Sequence, residues 1–318
     1  MNLLVTGGCG FIGSNFIGHV IEKKRVQKLV NVDCLSYAAS LGNVRSFGKN
    51  PKYLFEEYDL SDYGKVYDTF YKHDITHVVH LAAETHVDNS ILDADAFLSS
   101  NVLGTHSLLK AALKFKTKRF HHVSTDEVYG HLNVGGDKFS EDTPYDPRNP
   151  YSASKAASDF LVRSYFHTHS LPVTISNCSN NYGPNQHKEK FIPTVINSLL
   201  NEARIPVYGK GDNIRDWIYV EDHCSAIWKI LTKGKLGETY LVGSNCEKTN
   251  LEIIHEICKI LNRSPDDYVK FVEDRLGHDF RYAINNCKIS QELKWKPKVK
   301  LKHGIKKTID HYARIIDR

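Results

Sequence analysis

Short apolar runs alternate with amphipathic stretches through the first half of the chain, and this rhythm sets the expected fold. Residues 2–6, 29–32, 53–58, 77–81, 120–123 and 173–176 read as strands, several of them apolar throughout, as in sheets covered on both faces. Between them, the stretches following Gly13 to about Lys23, 62–71, 94–115 and 151–168 read as helices. Strands separated by helices predict an α/β fold with a parallel, doubly wound sheet of Rossmann type. From about residue 180 the rhythm loosens. Ile192, Val195, Ile196, Leu199 and Leu200 keep the i, i+3, i+4 stripe of a helix, as do Ile254, Ile257, Cys258 and Leu261. Between them, Tyr240-Leu241-Val242 reads as one more strand, with a return to the main sheet open to it.

The first strand runs into Gly7-Gly8-Cys9-Gly10-Phe11-Ile12-Gly13, and the second ends in Asp33, 20 residues after Gly13. Glycines there let the backbone approach a pyrophosphate, and the helix N-terminus offers it free N–H groups and partial positive charge. Asp33 accepts from ribose hydroxyls and repels a 2′-phosphate, so NAD is expected rather than NADP. The cofactor-facing set is then Gly7, Gly10, Phe11, Ile12, Gly13 and Asp33, joined at later strand ends by Asp59, Leu60, Leu81, Ala82 and Ala83. With neither repeat nor low-complexity linker in the sequence, residues 1–180 are expected to form this NAD-binding domain. Residues 181–318 are expected to form mainly a smaller, interleaved substrate lobe with segments returning to the first.

The chemistry is expected where the strand 120–123 ends, at Ser124-Thr125-Asp126-Glu127-Val128-Tyr129-Gly130. Two adjacent carboxylates repel, so one tends to keep its proton near neutrality, and the pair can donate and accept at once. Alone, the stretch reads as well as a solvated acidic turn. Further on, Tyr151 and Lys155 stand four residues apart on one helix face. A free phenol, with a pKa near ~10, is too weak a base at neutral pH, but a neighbouring lysine and a nicotinamide cation both favour phenolate, so Tyr151 can take a proton from an alcohol.

Composition narrows the picture further. The 318 residues leave room for two modest cores, and 41% hydrophobic with 25% charged residues is ordinary for a soluble globular protein. The net charge of +5 is scattered except over residues 294–307, where lysines alternate with Trp295, Pro297, Val299 and Leu301. That stretch reads as a solvated edge, and no nucleic-acid partner is expected. Seven cysteines, with Cys9, Cys178 and Cys258 in buried segments, read as reduced thiols. Neither the cysteines nor the 17 histidines are expected to bind metal. An apolar strand directly after Met1, and no long apolar run, give the expectation of a cytoplasmic protein without a membrane partner.

These motifs together resemble the extended short-chain dehydrogenases/reductases, and among them the nucleotide-diphosphate-glucose 4,6-dehydratases. Besides the stretches above, the likeness rests on Leu81-Ala82-Ala83-Glu84-Thr85-His86-Val87-Asp88, Ser179-Asn180-Asn181-Tyr182-Gly183-Pro184, Arg215-Asp216-Trp217 and Arg275-Leu276-Gly277-His278-Asp279, and it covers essentially the whole chain. It implies that sugar C4 gives a hydride to NAD while Tyr151, supported by Lys155, takes the hydroxyl proton and Thr125 holds that hydroxyl. The C4 ketone acidifies C5, Glu127 removes the C5 proton, and protonated Asp126 donates to the C6 hydroxyl, which leaves as water. Hydride returns to C6 and a proton to C5, giving a 4-keto-6-deoxy sugar nucleotide from dTDP- or UDP-glucose. The resemblance also implies substrate contacts at Thr85, Asn180, Val207, Tyr208, Arg215, Asn250 and Arg275, and a homodimer through a four-helix bundle of the 94–115 and 151–168 helices.

A sugar-nucleotide 4-epimerase or UDP-glucuronate decarboxylase would share NAD, Tyr151 and Lys155, but an epimerase has no use for an acid and base at C5 and C6, and decarboxylases resemble this region with serine in place of Asp126. A non-catalytic NAD-binding regulator would be expected to have lost Tyr151 or Lys155. The chain departs from the family pattern at Asn177, where arginine is common, at Leu276, where proline is usual, at His187-Lys188 in place of an aromatic-proline pair, and in the shorter loop over residues 131–150.

Overall fold

The computed structural model describes residues 1–274 and 278–316. Seven parallel strands form the main sheet: β1 (Asn2–Thr6), β2 (Lys28–Asp33), β3 (Tyr53–Glu57), β4 (His77–His80), β5 (Arg119–Thr125), β6 (Val173–Cys178) and, after three strands of the second lobe, β10 (Thr239–Val242). Their spatial order is β3-β2-β1-β4-β5-β6-β10. The order reverses beside β1, and the crevice outside the strand C-termini at that reversal is where such sheets bind ligands. Side chains alternate across the sheet: Leu4 faces the layer of the helices Tyr63–His73, Gly104–Lys114 and Pro150–His169, while Leu3 and Val5 face the helices Phe11–Val20 and Val220–Lys233.

Strands β7 (Asn180–Tyr182), β9 (Ile214–Tyr219) and β11 (Glu247–Thr249) form a three-stranded sheet, and β8 (Ile205–Tyr208) pairs with β12 (Val269–Val272). Ile192, Val195, Ile196, Ile253, Ile257 and Ile305, from the helices Phe191–Leu200, Asn250–Leu261 and Leu301–Ile316, meet Tyr182, Val207 and Trp217 in this lobe's core.

Several expectations need correction. β5 runs two residues further than the apolar run 120–123, so Ser124 and Thr125 are strand residues whose polar side chains end up buried. The 94–115 helix is not uniform: α-helical Asp95–Phe97 passes into a π-helical turn, Leu98–Leu103, before the α-helix Gly104–Lys114. The basic stretch is not simply a solvated edge either. Trp295 is buried and donates its indole N–H to Ser225 Oγ at 2.8 Å, and the backbone N–H groups of Lys298 and Val299 donate to Asp222 Oδ2. All seven cysteines are free thiols. Among the described residues no helix is long and apolar enough to cross a membrane, and no cluster of His, Cys, Asp and Glu could hold a metal ion.

Candidate active site

One deep cleft opens at the C-terminal ends of the main strands. It is lined by all the expected cofactor residues, Gly7, Gly10, Phe11, Ile12, Gly13, Asp33, Asp59, Leu60, Leu81, Ala82, Ala83, Tyr151 and Lys155, and also by Thr85, Thr125, Asp126, Glu127 and Asn180. No side chain caps the helix Phe11–Val20, so its first N–H groups are left to a ligand. A Cβ on Gly13 would stand 2.1 Å from the carbonyl oxygen of Gly7, and one on Gly7 would stand 2.7 Å from the Ala82 backbone. Asp33 accepts the N–H groups of Cys9 and Leu35, both at 2.9 Å, which fixes its carboxylate at the end of β2. A backbone cradle, an open helix N-terminus and a fixed acid together fit a dinucleotide.

The acid pair follows from the end of β5. Thr125 Oγ1 accepts the Glu127 N–H at 3.3 Å and caps a 3₁₀ turn, Asp126–Tyr129, that turns both carboxyl groups back toward the cleft. Gly130 closes the turn at φ 80°, against the carbonyl of Asp146. Asp126 is fully enclosed. Burial, then the charges of Glu127 and Asp216, push its pKa well above the usual carboxylate range, with Arg215 opposing, which favours the protonated form. Among the described residues, Ser124 Oγ, Asp126 Oδ2, Ser179 Oγ and Asn180 Oδ1 are enclosed around the cleft without a hydrogen-bond partner, the signature of a polar ligand site.

The helix Pro150–His169 begins with a capping box: the Ser152 N–H donates to Asn149 Oδ1 at 2.9 Å, and the Asn149 N–H to Ser152 Oγ at 3.2 Å. This cap sets Tyr151 in the first turn and Lys155 one turn later. The phenol of Tyr151 is raised well above its ordinary pKa by burial and by Glu127, with a hydrogen bond from Thr125 opposing. Lys155 Nζ donates to the Val123 carbonyl oxygen at 2.9 Å.

Sequence reasoning missed Asn101, buried in the π-helical turn. Its Nδ2 donates to Ser154 Oγ at 2.8 Å and to the Glu84 carbonyl at 3.1 Å, while its Oδ1 accepts the Glu84 N–H at 2.8 Å. Only the register of that turn aims it there, and no motif marks it. Lys190, whose Nζ donates to the Thr85 carbonyl at 3.0 Å, and His187 also line the cleft; the only sequence signal was the departure at His187-Lys188.

The remaining substrate candidates lie on the second lobe, outside the lining of this cleft. Val207 is buried and Tyr208 exposed on β8, and Asn250 starts the helix Asn250–Leu261. Arg215 is buried, its guanidinium donating to the carbonyls of Ile214, Asp279 and Phe280 and lying 4.3 Å over the Tyr282 ring. Arg275 and Leu276 lie outside the described residues.

The family model described as GDP-mannose 4,6 dehydratase matches residues 4–308. The dTDP-glucose 4,6-dehydratase of Haemophilus influenzae is 45% identical over 98% of both chains, and that of Mycolicibacterium smegmatis is 47% identical over 98% of this chain and 93% of its own. Among solved structures, the dTDP-glucose 4,6-dehydratase of Streptomyces venezuelae, with NAD and dTDP bound, superimposes with a TM-score of 0.95 at 39% identity, covering 99% of this chain and 97% of its own. A UDP-glucose 4-epimerase of Thermus thermophilus reaches a TM-score of 0.90 at 28% identity over 98% of this chain and 99% of its own. The chain belongs to the nucleotide-sugar 4,6-dehydratases of the extended short-chain dehydrogenase/reductase family.

Proposed function

We propose that this protein is an NAD-dependent dehydratase that converts dTDP-glucose to the 4-keto-6-deoxy sugar nucleotide. The observation that carries the reading is Asp126, enclosed and with its carboxyl pKa raised by burial and by Glu127, beside Glu127 in the same cleft as Tyr151 and Lys155. Oxidation and re-reduction at C4 need only the tyrosine and lysine, whereas eliminating water across C5 and C6 needs an acid and a base as well.

When bound, NAD supplies an acceptor for the C4 hydride that later gives the same hydride back. The cradle of residues 7–13 and Asp33 hold it, and the strand ends at Asp59-Leu60 and Leu81-Ala82-Ala83 wall it in. Thr125 orients the C4 hydroxyl. Burial and Glu127 raise the Tyr151 phenol, so Tyr151 takes that proton only with the positive charge a bound nicotinamide brings beside the Lys155 ammonium. Glu127 removes the C5 proton once C4 is a ketone. Asp126 gives its proton to the departing C6 hydroxyl; its raised pKa favours the protonated form an acid needs, and burial keeps bulk water from competing.

Thr85 and Asn180 serve the hexose and the adjoining phosphate. Val207, Tyr208, Asn250 and Arg275 serve the nucleoside diphosphate, to which Arg215 turns by exchanging carbonyl oxygens for phosphate oxygens. On this division residues 1–180 chiefly hold the cofactor and residues 181–318 the nucleotide. A homodimer is supported by Leu98, Leu103 and Phe160, which are 51%, 55% and 55% exposed on the two helical segments expected to form a four-helix bundle. We place the enzyme in the cytoplasm, with its sugar-nucleotide substrate.

Incubating the protein with dTDP-glucose and separately with UDP-glucose, and reading the alkali-induced absorbance of the 4-keto product, tests the reading. Formation of the 4-epimer alone would overturn it.

A further inference from the structure

Beneath the Tyr151/Lys155 pair lies a buried polar layer that the dehydration chemistry leaves unassigned. Lys155 is 4% exposed. The charged or titratable groups that bear on its ammonium come from four elements: His80 on β4, His122 on β5, Cys178 on β6, and Asp159 on its own helix. His122 is held neutral by burial and by Lys155, its pKa lowered to about 4, and His80 is lowered well below its ordinary value by burial, by the neighbouring His122 ring and by Lys155. Burial pushes the Cys178 thiol up to about 12. Asp159 is the one carboxylate of the set. It stands one turn after Lys155 and is fully enclosed.

Burial alone would raise the Asp159 pKa, but its surroundings outweigh that and hold it below the usual range. His122 Nε2 approaches Asp159 Oδ1 to 3.2 Å without aligning as a hydrogen bond. Tyr145, from the short loop, donates its hydroxyl to Asp159 Oδ2 at 2.8 Å, and Asn177 Nδ2 donates to the same oxygen at 3.2 Å and to the Thr125 carbonyl at 3.1 Å. Asn177 is one of the departures from the family pattern. An arginine there would place a second cation against the carboxylate, whereas the neutral amide orients Asp159 and leaves its charge to Lys155.

We propose that Asp159 is a positioning residue for the proton-transfer pair: held by Asn177, Tyr145 and His122, its carboxylate is the fixed counter-charge that keeps Lys155 cationic while Tyr151 takes and returns a proton. A lone buried ammonium loses its proton readily, and a carboxylate nearby opposes that loss. Desolvation lowers the Lys155 pKa and Asp159 opposes it most. The inference rests on the role given to Tyr151 and Lys155 above.

The test measures, against pH, the rate of NADH formation in the first turnover with dTDP-glucose for the parent, Asp159→Asn and Asp159→Glu, with ¹³Cε-lysine NMR of the parent alongside, Lys155→Met giving the assignment. Relative to the parent at the same pH, the Asp159→Asn rate should be closest to parental at low pH and fall by up to about tenfold per pH unit above it, whereas the Asp159→Glu ratio should stay flat below pH 9. The parent's Lys155 resonance should not titrate between pH 6 and 9. A profile for Asp159→Asn parallel to the parent's at reduced height, as a merely structural role would give, overturns the proposal. So does titration of Lys155 in that range, a result that does not depend on Asp159→Asn folding. A parent that forms no NADH at all contradicts the dehydratase reading instead and leaves the NMR arm to judge Asp159.

Discussion

Asn101 Nδ2 reaches Ser154 Oγ at 2.8 Å, so a side chain from the π-helical turn grips the catalytic helix between Tyr151 and Lys155. Its other bonds go to the backbone of Glu84, at the loop that follows β4. One amide thus sets the spacing between the loop after β4 and the helix that carries Tyr151 and Lys155. Asn101→Ala leaves buried donors and acceptors unmatched and should lower stability by about 2–4 kcal/mol, read by urea unfolding, with kcat falling more than the residual folded fraction accounts for. An unchanged kcat in the folded fraction would assign Asn101 to stability alone.

Asp126 and Glu127 should separate cleanly from Tyr151. Asp126→Asn and Glu127→Gln should retain NAD and form NADH on addition of dTDP-glucose, yet lose about 10²–10⁴-fold in water elimination. Tyr151→Phe should stall before NADH appears. Stopped-flow absorbance of NADH, with mass spectrometry of the sugar nucleotide, distinguishes the two phenotypes, and a Glu127→Gln enzyme with parental turnover would remove Glu127 from the role of C5 base.

Gly13→Ala meets backbone rather than a yielding side chain, since the new methyl would stand 2.1 Å from the Gly7 carbonyl oxygen. The cradle must shift, and NAD retained through purification should drop at least tenfold, about 1.4 kcal/mol or more in binding. Releasing the nucleotide by denaturation and quantifying it by chromatography checks this.

The main-sheet motifs were legible because their periodicity and glycine spacing are local properties of the sequence. The second lobe's strands were not. β8 contains Pro206, β11 is the polar Glu247–Thr249, and both are strands only because neighbouring chain supplies their partners. Trp295 was hidden among lysines, and its burial depends on the distant Asp222 and Ser225. Tyr151 and Lys155 could be read from their spacing, whereas Asp159 could not, because its meaning depends on Asn177, Tyr145 and His122 converging from other elements.

Acid should weaken the fold through its buried histidines. Burial lowers the pKa of His223 to about 3 and, together with the neighbouring His122 and His223 rings and the Arg119 guanidinium, that of His121 to about 3, against 6.5 unperturbed. Below pH 6.5 the unfolded chain takes up protons that the folded chain refuses, so stability is lost from about pH 6.5 downward to the folded values. Each such group contributes a slope of about 1.4 kcal/mol per pH unit. His223→Gln should remove one proton's worth of that slope in unfolding measured between pH 6.5 and 4, and an unchanged slope would contradict the assignment.

Phe160 tests the assembly. If the proposed dimer forms through this face, Phe160→Glu, on the exposed side of the Pro150–His169 helix, should yield a monomer in light scattering at concentrations where the parent dimerises, because a charge buried in an apolar bundle has no partner; a parent that stays monomeric would overturn the dimer itself.

β10 completes the main sheet beside β6, although residues 180–219 have by then built strands of the other lobe. During synthesis, therefore, the nucleotide cradle emerges early but its sheet keeps an unpaired edge until the chain past residue 242 has left the ribosome. A fragment ending near residue 180 would carry every glycine of the cradle and still expose that edge, making it a substrate for chaperones rather than a free-standing coenzyme binder.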